Sequence, residues 1–305
     1  MHERPKAGPF IPTAQALRGF ILLLGWSLLS VVVAGQTLYW DTNGATNGSS
    51  GANGTWGTSN FWSTNSAGTA ATTGFTSGRD AVFSAGTNAT GSYTVTVSGT
   101  QNVSSITVQE GTPTFTGGQI NFSDATPDVT ISAGATLNWG LTGLSSSTNT
   151  LNIGGAGTVN LTLSGTFAGT INLSGGTLRL TNSDLGITTL NITGNSVIDF
   201  AGSASSLDLT NFSISAGVTL TVQNWAAATD FFYAANWTGA THNTMGSAPM
   251  NRVVFTGFAA NQTGWDSYDN QIRPNVPEPA TYGALLLGSM TVLLAARRRR
   301  RSPGA

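Results

Sequence analysis

Ile131-Ser-Ala-Gly-Ala-Thr-Leu137 recurs almost unchanged as Ile214-Ser-Ala-Gly-Val-Thr-Leu220. Each copy consists of an apolar residue, a turn of small residues, a hydroxyl residue and a second apolar position. Weaker copies lie before and between these two, and alignment on the hydroxyl gives Thr94, Thr114, Thr136, Thr158, Thr177, Ser196 and Thr219. The mean spacing is about 21 residues, and a constant spacing of this size is typical of a solenoid, whose coils stack equivalent positions on one another.

The segments around these repeats alternate apolar and polar residues with a period of two, as β-strands do. Examples are Thr94–Val97, Ser104–Val108, Thr158–Leu163 and Thr177–Leu180. We therefore predict an all-β fold, a right-handed parallel β-helix with coils of about 21 residues and two or three strands in each coil. Apolar side chains would stack inside, Thr, Ser and Asn would face solvent, and glycines would form corners that need a positive φ. A β-sandwich is the alternative, although it does not require a constant period.

The composition fits a solenoid and excludes several kinds of site. Charged residues make up 8% of the chain, as expected where like charges in adjacent rungs would repel one another. The chain contains no cysteine, which excludes disulfides, a thiolate metal site and a cysteine nucleophile. Residues 35–276 contain four arginines and no lysine against 11 acids. This acidic balance argues against nucleic acid or anionic lipid as a partner.

The distribution of residue types divides the chain into five parts. Residues 35–90 are rich in Gly, Asn, Ser and Thr with widely spaced aromatic residues, and we predict an N-terminal β cap there, because solenoids need an atypical terminal repeat. Residues 91–224 would form the repeats, and 225–275 a C-terminal cap and linker. Tryptophans of the first cap, such as Trp40 and Trp56, are expected to pack in the core, with stacking on sugar rings as the alternative.

Both chain ends predict export. The N-terminal end has basic residues up to Arg18, an apolar run over Phe20–Val33 and then Ala34, which is the pattern of a signal peptide over 1–34 that signal peptidase removes after Ala34. An uncleaved N-terminal anchor is the alternative. At the other end, residues 280–296 are uncharged and long enough for a transmembrane helix. Arg297–Arg301 would stop translocation and stay in the cytoplasm.

The C-terminal end, from Val276-Pro277-Glu278-Pro279 through the apolar run to Arg297, Arg298, Arg299, Arg300 and Arg301, resembles the PEP-CTERM sorting signal of Gram-negative envelope proteins. The resemblance covers 276–301. It implies recognition by exosortase, cleavage at or near the Pro-Glu-Pro motif, and an inner-membrane intermediate followed by release to the cell surface or extracellular matrix. It also implies association with exopolysaccharide or a biofilm matrix. A plain membrane anchor without processing is the alternative.

A second resemblance lies within the repeats. Gly165-Thr-Phe-Ala-Gly-Thr-Ile-Asn-Leu-Ser-Gly-Gly-Thr-Leu-Arg-Leu180 is similar to the autotransporter-associated β-strand repeat, which carries a recurring G-G-T-L-x-L segment. That repeat occurs on β-helical passenger domains. The resemblance implies the same β-helical fold for the middle of this chain.

The sequence offers no convincing catalytic constellation. His242 is the one histidine after the leader, and the closest carboxylate pairs are Asp124/Asp128 and Asp266/Asp269. Asp199 and Asp208 are expected to point outward from strands. We predict a non-enzymatic exported surface protein without cofactor or metal. The alternatives are an adhesin held by a plain C-terminal membrane helix, and a β-helical polysaccharide lyase or glycosidase, which would need acids and an arginine converging in one groove.

Overall fold

The structure, a computed structural model, describes residues 36–51, 53–143, 145–146 and 149–275. The predicted signal peptide (1–34) and the predicted sorting signal (276–301, with its membrane helix and arginine cluster) lie outside the described residues. No helix within these ranges is long and apolar enough to cross a membrane.

The described residues form short strands separated by tight turns. In the N-terminal part these are β1 (Thr37–Trp40), β2 (Gly54–Trp56), β3 (Trp62–Ser63), β4 (Arg79–Phe83), β5 (Ser92–Val108), β6 (Thr112–Phe122), β7 (Asp128–Ile131), β8 (Thr136–Trp139) and β9 (Ser145–Ser146). The middle of the chain contains β10 (Thr150–Gly155), β11 (Thr158–Leu161), β12 (Gly165–Leu173), β13 (Thr177–Leu180), β14 (Asp184–Ile192), β15 (Ser196–Asp199), β16 (Ser206–Ile214) and β17 (Leu220–Gln223). The last part contains β18 (Phe231–Trp237), a 3-10 helix (Met250–Arg252), β19 (Val253–Phe255), β20 (Thr263–Trp265) and β21 (Ile272–Pro274).

The strands β1 to β19 pair into one sheet that winds into a solenoid, with nearly every pairing parallel. In the regular part each strand pairs with the second strand after it, so β10 pairs with β12, β12 with β14 and β14 with β16. One coil takes about 22 residues. The prediction of an all-β parallel solenoid is confirmed, and the β-sandwich is wrong, because a sandwich requires antiparallel sheets. The handedness stays a prediction.

The core consists of apolar columns that run along the solenoid. One column contains Leu151, Ile171, Leu190, Phe212 and Trp237, each paired with the next, and all five side chains are buried. The columns arise because side chains alternate between the two faces of a strand, so an in-register parallel pairing keeps every inward residue on another inward residue.

The hydroxyl alignment matches the structure in part. Thr94 pairs with Thr114, and Thr136, Thr158 and Thr177 lie in one column. The threonines are therefore equivalent within each of these two groups. Between the two groups the alignment is wrong by two residues, because Thr114 of β6 pairs with Asn138 of β8 and not with Thr136. A shift of two residues leaves the inward and outward alternation intact.

The alignment is also wrong at Ser196, because Thr177 pairs with Val197. The physical reason is the alternation of the strand. Pairing Thr177 with Ser196 would place the buried Ile198 beside Arg179, which points outward. A shift of one residue returns Ile198 to the core. The alignment is wrong by one residue at Thr219 as well. Thr219 precedes β17, and Ser196 pairs with Leu220.

The tryptophans of the N-terminal region pack in the core. Trp40, Trp56 and Trp62 are fully buried, with ring centroids 5.3 Å apart for Trp40 and Trp62 and 5.1 Å apart for Trp56 and Trp62. Phe83 joins the same cluster. Here β3 runs antiparallel to β1, whereas β1 and β4 continue the parallel stacking. Sugar stacking on these tryptophans is excluded, because no ring face reaches solvent.

Glycines at the corners have two separate physical reasons. Gly134, Gly176 and Gly217 have positive φ, as predicted. Gly194 has an ordinary φ, but a Cβ built on it would lie 2.1 Å from the carbonyl oxygen of Ser174 in the preceding coil. At that corner glycine is needed because two coils approach closely.

A ladder of outward asparagines crosses the middle coils. Asn152 donates from its amide to Asp128 (2.9 Å), Asn172 to Asn152 (2.9 Å) and Asn191 to Asn172 (2.9 Å), and the Ser213 hydroxyl donates to Asn191 (2.6 Å). Every donor points toward the N-terminal coil, and the ladder ends on a carboxylate, which can only accept. The sequence analysis expected these side chains merely to face solvent, although a recurring Asn before an inward apolar residue was visible in the repeats.

Candidate functional site in the C-terminal cap

A groove with a volume of about 450 Å³ lies in the C-terminal cap. The hairpin β20–β21 and Asn275 supply part of its lining, and Trp225, Ala227 and residues 243–245 supply the rest. Its apolar lining includes Trp225 and Met245, and its polar lining includes Asp266, Arg273 and Asn275. The volume falls within the range of about 300–1,000 Å³ found for small-molecule sites.

The hairpin turn is set by side chains that bond to nearby backbone. Asp266 accepts a hydrogen bond at Oδ1 from the Tyr268 amide (2.8 Å), and Asp269 accepts one from the Gln271 amide (2.9 Å). Asn270 adopts a positive φ of 60°, a conformation that asparagine tolerates better than most residues. These short-range bonds explain why an Asp-rich segment forms the turn between β20 and β21.

The hairpin is held against the last regular coil by hydrogen bonds to β18. The indole Nε1 of Trp265 donates to the Ala234 carbonyl (2.9 Å), and the Ala234 amide donates to the Asn270 carbonyl (3.0 Å). The hairpin therefore covers backbone of β18 that would otherwise be an open sheet edge. This attachment fixes one wall of the groove.

Arg273 joins two carboxylates at the groove. Its Nη2 forms an ion pair with Asp266 Oδ2, and its Nη1 lies 3.6 Å from Asp269 Oδ2. Nη1 also donates to Gln271 (2.9 Å). The hydrogen bond from the Tyr268 amide and the charge of Arg273 together hold the pKa of Asp266 below its ordinary value. Asp266 is therefore ionised at neutral pH.

His242 stacks on Trp265, with ring centroids 3.5 Å apart and planes inclined by 23°. Its Nε2 lies 3.2 Å from Oδ1 of Asn270. The nearby hydroxyl of Ser267 accepts a hydrogen bond from Asn243 (2.7 Å). The structure thus uses His242 for packing in the cap and does not pair it with a nucleophile.

The two carboxylate pairs from the sequence have different outcomes. Asp266 and Asp269 meet through Arg273, as described above. Asp124 accepts from the Ser104 hydroxyl (3.1 Å) and Asp128 accepts from Asn152 (2.9 Å), so each carboxylate is bound to its own neighbouring coil. The structure supports no shared chemistry for this second pair.

Of the two acids expected to point outward, Asp208 is exposed but Asp199 is not. Asp199 is 2% exposed and accepts from Nε of Arg179 at 2.8 Å. The physical reason is that Arg179 and Asn224 lie over it from the adjacent coils. Both acids remain far from the groove lining in sequence and contribute nothing to it.

The sequence analysis missed Trp225, Met245 and Asn275 as groove residues. Trp225 was assigned to a predicted closing cap, and its ring centroid lies 5.2 Å from that of Phe255 and 6.1 Å from that of Phe258. The density of aromatic residues after position 224 was the visible signal. It indicated a cap but could not indicate that part of the cap would be concave.

Asp266, Asp269 and Arg273 converge beside the groove, as a glycosidase or lyase would require, and Arg273 forms an ion pair with both carboxylates. Asp266 is kept ionised by its surroundings, so it does not suit the role of the protonated acid in glycoside hydrolysis. Among the described residues no group of three or more His, Asp or Glu side chains is placed to hold a metal ion.

A comparison with curated proteins finds similarity to "Adhesin BmaC autotransporter" of Brucella suis biovar 1 (strain 1330), with 33% identity over 169 residues. The aligned part is 54% of this chain and 5% of the adhesin. No protein-family model matches the chain, and no solved structure matches it. The similarity and the parallel solenoid together fit autotransporter-like repeats, in agreement with the resemblance of Gly165–Leu180.

Proposed function

We propose that this chain is a non-enzymatic, exported cell-surface protein whose solenoid presents a polar surface to matrix material outside the cell. The observation that carries the proposal is the parallel solenoid together with its similarity to a segment of an autotransporter adhesin. A solenoid of this kind exposes long, nearly uncharged surfaces. Rows of Thr, Ser and Asn offer both donors and acceptors of hydrogen bonds, which suits contact with exopolysaccharide.

Delivery is proposed to depend on the two chain ends. Signal peptidase would cut after Ala34, and Arg297–Arg301 would then hold the chain at the inner membrane. Exosortase would recognise Val276-Pro277-Glu278-Pro279 and release the preceding residues to the cell surface or matrix. The support for this step is the resemblance of 276–301 to the PEP-CTERM signal.

Surface exposure is the property to test first for this proposal. Intact producing cells would be treated with a protease that cannot enter them, and the protein would be followed with an antibody to the solenoid. We expect the wild-type protein to be degraded or already present in the medium, while a periplasmic marker protein survives. A protein protected as well as the periplasmic marker would contradict surface delivery.

The second candidate function is that of an adhesin, which the similarity to a segment of an adhesin supports; in this alternative the chain would remain on a plain C-terminal membrane helix. A variant with Pro277, Glu278 and Pro279 replaced by alanine separates the two. Exosortase-dependent sorting predicts that this variant loses surface exposure. A plain anchor predicts that the variant behaves as the wild type does.

A further inference from the structure

We propose that the groove of the C-terminal cap binds a neutral sugar unit of a polysaccharide. The inference deepens the proposed function, and it rests on that function for the source of the sugar. It names one part of the surface and one chemical class of ligand. The volume of the groove, its mixed apolar and polar lining and its charge support this ligand class.

The apolar part of the groove lining includes a packed aromatic ring. Trp225 is half-buried, and its ring is held by edge-to-face contacts with Phe255 and Phe258. Met245, also in the lining, is 50% exposed, and it and Tyr268 are the large apolar side chains that are exposed among the described residues. A fixed aromatic ring and a flexible thioether can cover the C–H face of a sugar ring.

The polar part of the lining offers both donors and acceptors of hydrogen bonds. The guanidinium of Arg273 carries five N–H donors, and not all of them are used by Asp266, Asp269 and Gln271. Oδ1 of Asn275 accepts no hydrogen bond from the described residues, while its Nδ2 donates to the sulfur of Met245 (3.1 Å). A sugar hydroxyl both donates and accepts, so such a mixture of planar polar groups matches the rim of a sugar ring.

The charge of the groove selects a neutral ligand. The single cation, Arg273, is shared by the carboxylates of Asp266 and Asp269, so no positive charge is left over for an anionic sugar. Arg179 is paired with Asp199 elsewhere, and the chain has no lysine between 35 and 276. Uronic acids and sulfated sugars would therefore be repelled by the excess of carboxylate.

The test measures binding of the protein purified from producing cells to a panel of neutral hexose trisaccharides and to galacturonic acid trisaccharide. We expect at least one neutral trisaccharide to bind and the uronic acid to bind more weakly. Trp225→Ala and Asn275→Ala should each weaken that binding by about tenfold or more, as for central contacts in a binding site. Tyr268→Ala is the matched control, because Tyr268 lies in the hairpin turn at 96% exposure and does not line the groove.

Trp225 also supports the cap, so thermal unfolding of every variant is measured beside binding. Asn275 is exposed, and its variant is expected to keep the wild-type Tm, which separates lost binding from lost folding. The inference is overturned if no neutral trisaccharide binds, if the uronic acid binds best, or if Asn275→Ala binds as tightly as the wild type and the Tyr268→Ala control do. Because the assay uses purified protein, such a failure leaves the surface-exposure experiment unaffected.

Discussion

At the scale of single residues, Asp199 shows how a solenoid buries a charge. It accepts hydrogen bonds from the Asn224 amide (2.7 Å), the Ala201 backbone amide (2.8 Å) and Nε of Arg179 (2.8 Å). Burial alone would raise its pKa, but these three donors outweigh burial and hold the pKa below the ordinary value. The sequence could not predict this pair, because the hydroxyl alignment placed Arg179 beside Ile198. The pair exists because the register shifts by one residue.

Replacement of this acid by its amide, Asp199→Asn, is expected to destabilise the fold by about 2 kcal/mol at neutral pH, because a buried group loses bonds made to a charge. The folded pKa lies below the ordinary value of 3.8, so the carboxylate stabilises the fold above that pH. This contribution is lost as the pH falls through the folded pKa. Thermal unfolding between about pH 6 and about pH 2.5 should therefore show a Tm difference that shrinks in acid.

The control for this experiment is Asp208→Asn. Although Asp208 is exposed, partial desolvation by the surrounding chain and the charge of the neighbouring Asp184 raise its pKa, so its charge does not stabilise the fold. Its amide variant should match or slightly exceed the wild-type Tm at neutral pH. A Tm difference for Asp199→Asn that stays constant over the whole pH range would contradict the assignment of a stabilising carboxylate.

At the scale of elements, the asparagine ladder gives the parallel strands a direction. Each step donates to the preceding coil, so the first position needs only an acceptor, the last needs only a donor, and every position between them needs both. Asp128 satisfies the first requirement and Asn172 the third. The alternation that predicts these strands does not distinguish Asp from Asn, and only the pairing of adjacent coils explains which residue stands where.

Exchanges between Asp and Asn should therefore change the stability of the fold by unequal amounts at positions 128 and 172. Asn172→Asp removes the donor to Asn152 and places two acceptors against each other, and we expect a loss of about 2 kcal/mol. Asp128→Asn still offers an oxygen to Asn152 and should change stability by about 0.5 kcal/mol or less. Urea unfolding of the two variants measures the difference, and equal effects at both positions would argue against a directional ladder.

Substitutions of glycines at the corners of the solenoid test how closely adjacent coils stack. Gly194→Ala would place a methyl group 2.1 Å from the Ser174 carbonyl oxygen, and we expect a loss of about 2 kcal/mol or more from overpacking. Gly91→Ala is the matched control, since a Cβ there meets nothing within 4 Å. The control should be neutral or slightly stabilising. Similar Tm values for the two variants would show that the coils can separate without cost.

At the scale of the whole molecule, the period and the alternation were sufficient to predict a parallel solenoid, because both are properties of every coil. The groove was not predictable from them. Its residues come from irregular segments, and His242 and Asn270 meet across 28 positions through a hairpin that follows no repeat. Sequence reasoning named Asp266 and Asp269 as a close pair, but their meeting with Arg273 depends on how the antiparallel hairpin folds.

The most direct test of the central claim, export followed by processing, is the intact mass of the protein recovered from cells and medium. For the wild type we predict loss of residues 1–34 and loss of the chain after about Val276, with added mass if a glycan or lipid is attached. The variant with Pro277, Glu278 and Pro279 replaced by alanine should keep its C-terminal end. A wild-type protein that remains in the membrane with Arg301 still attached would contradict the account.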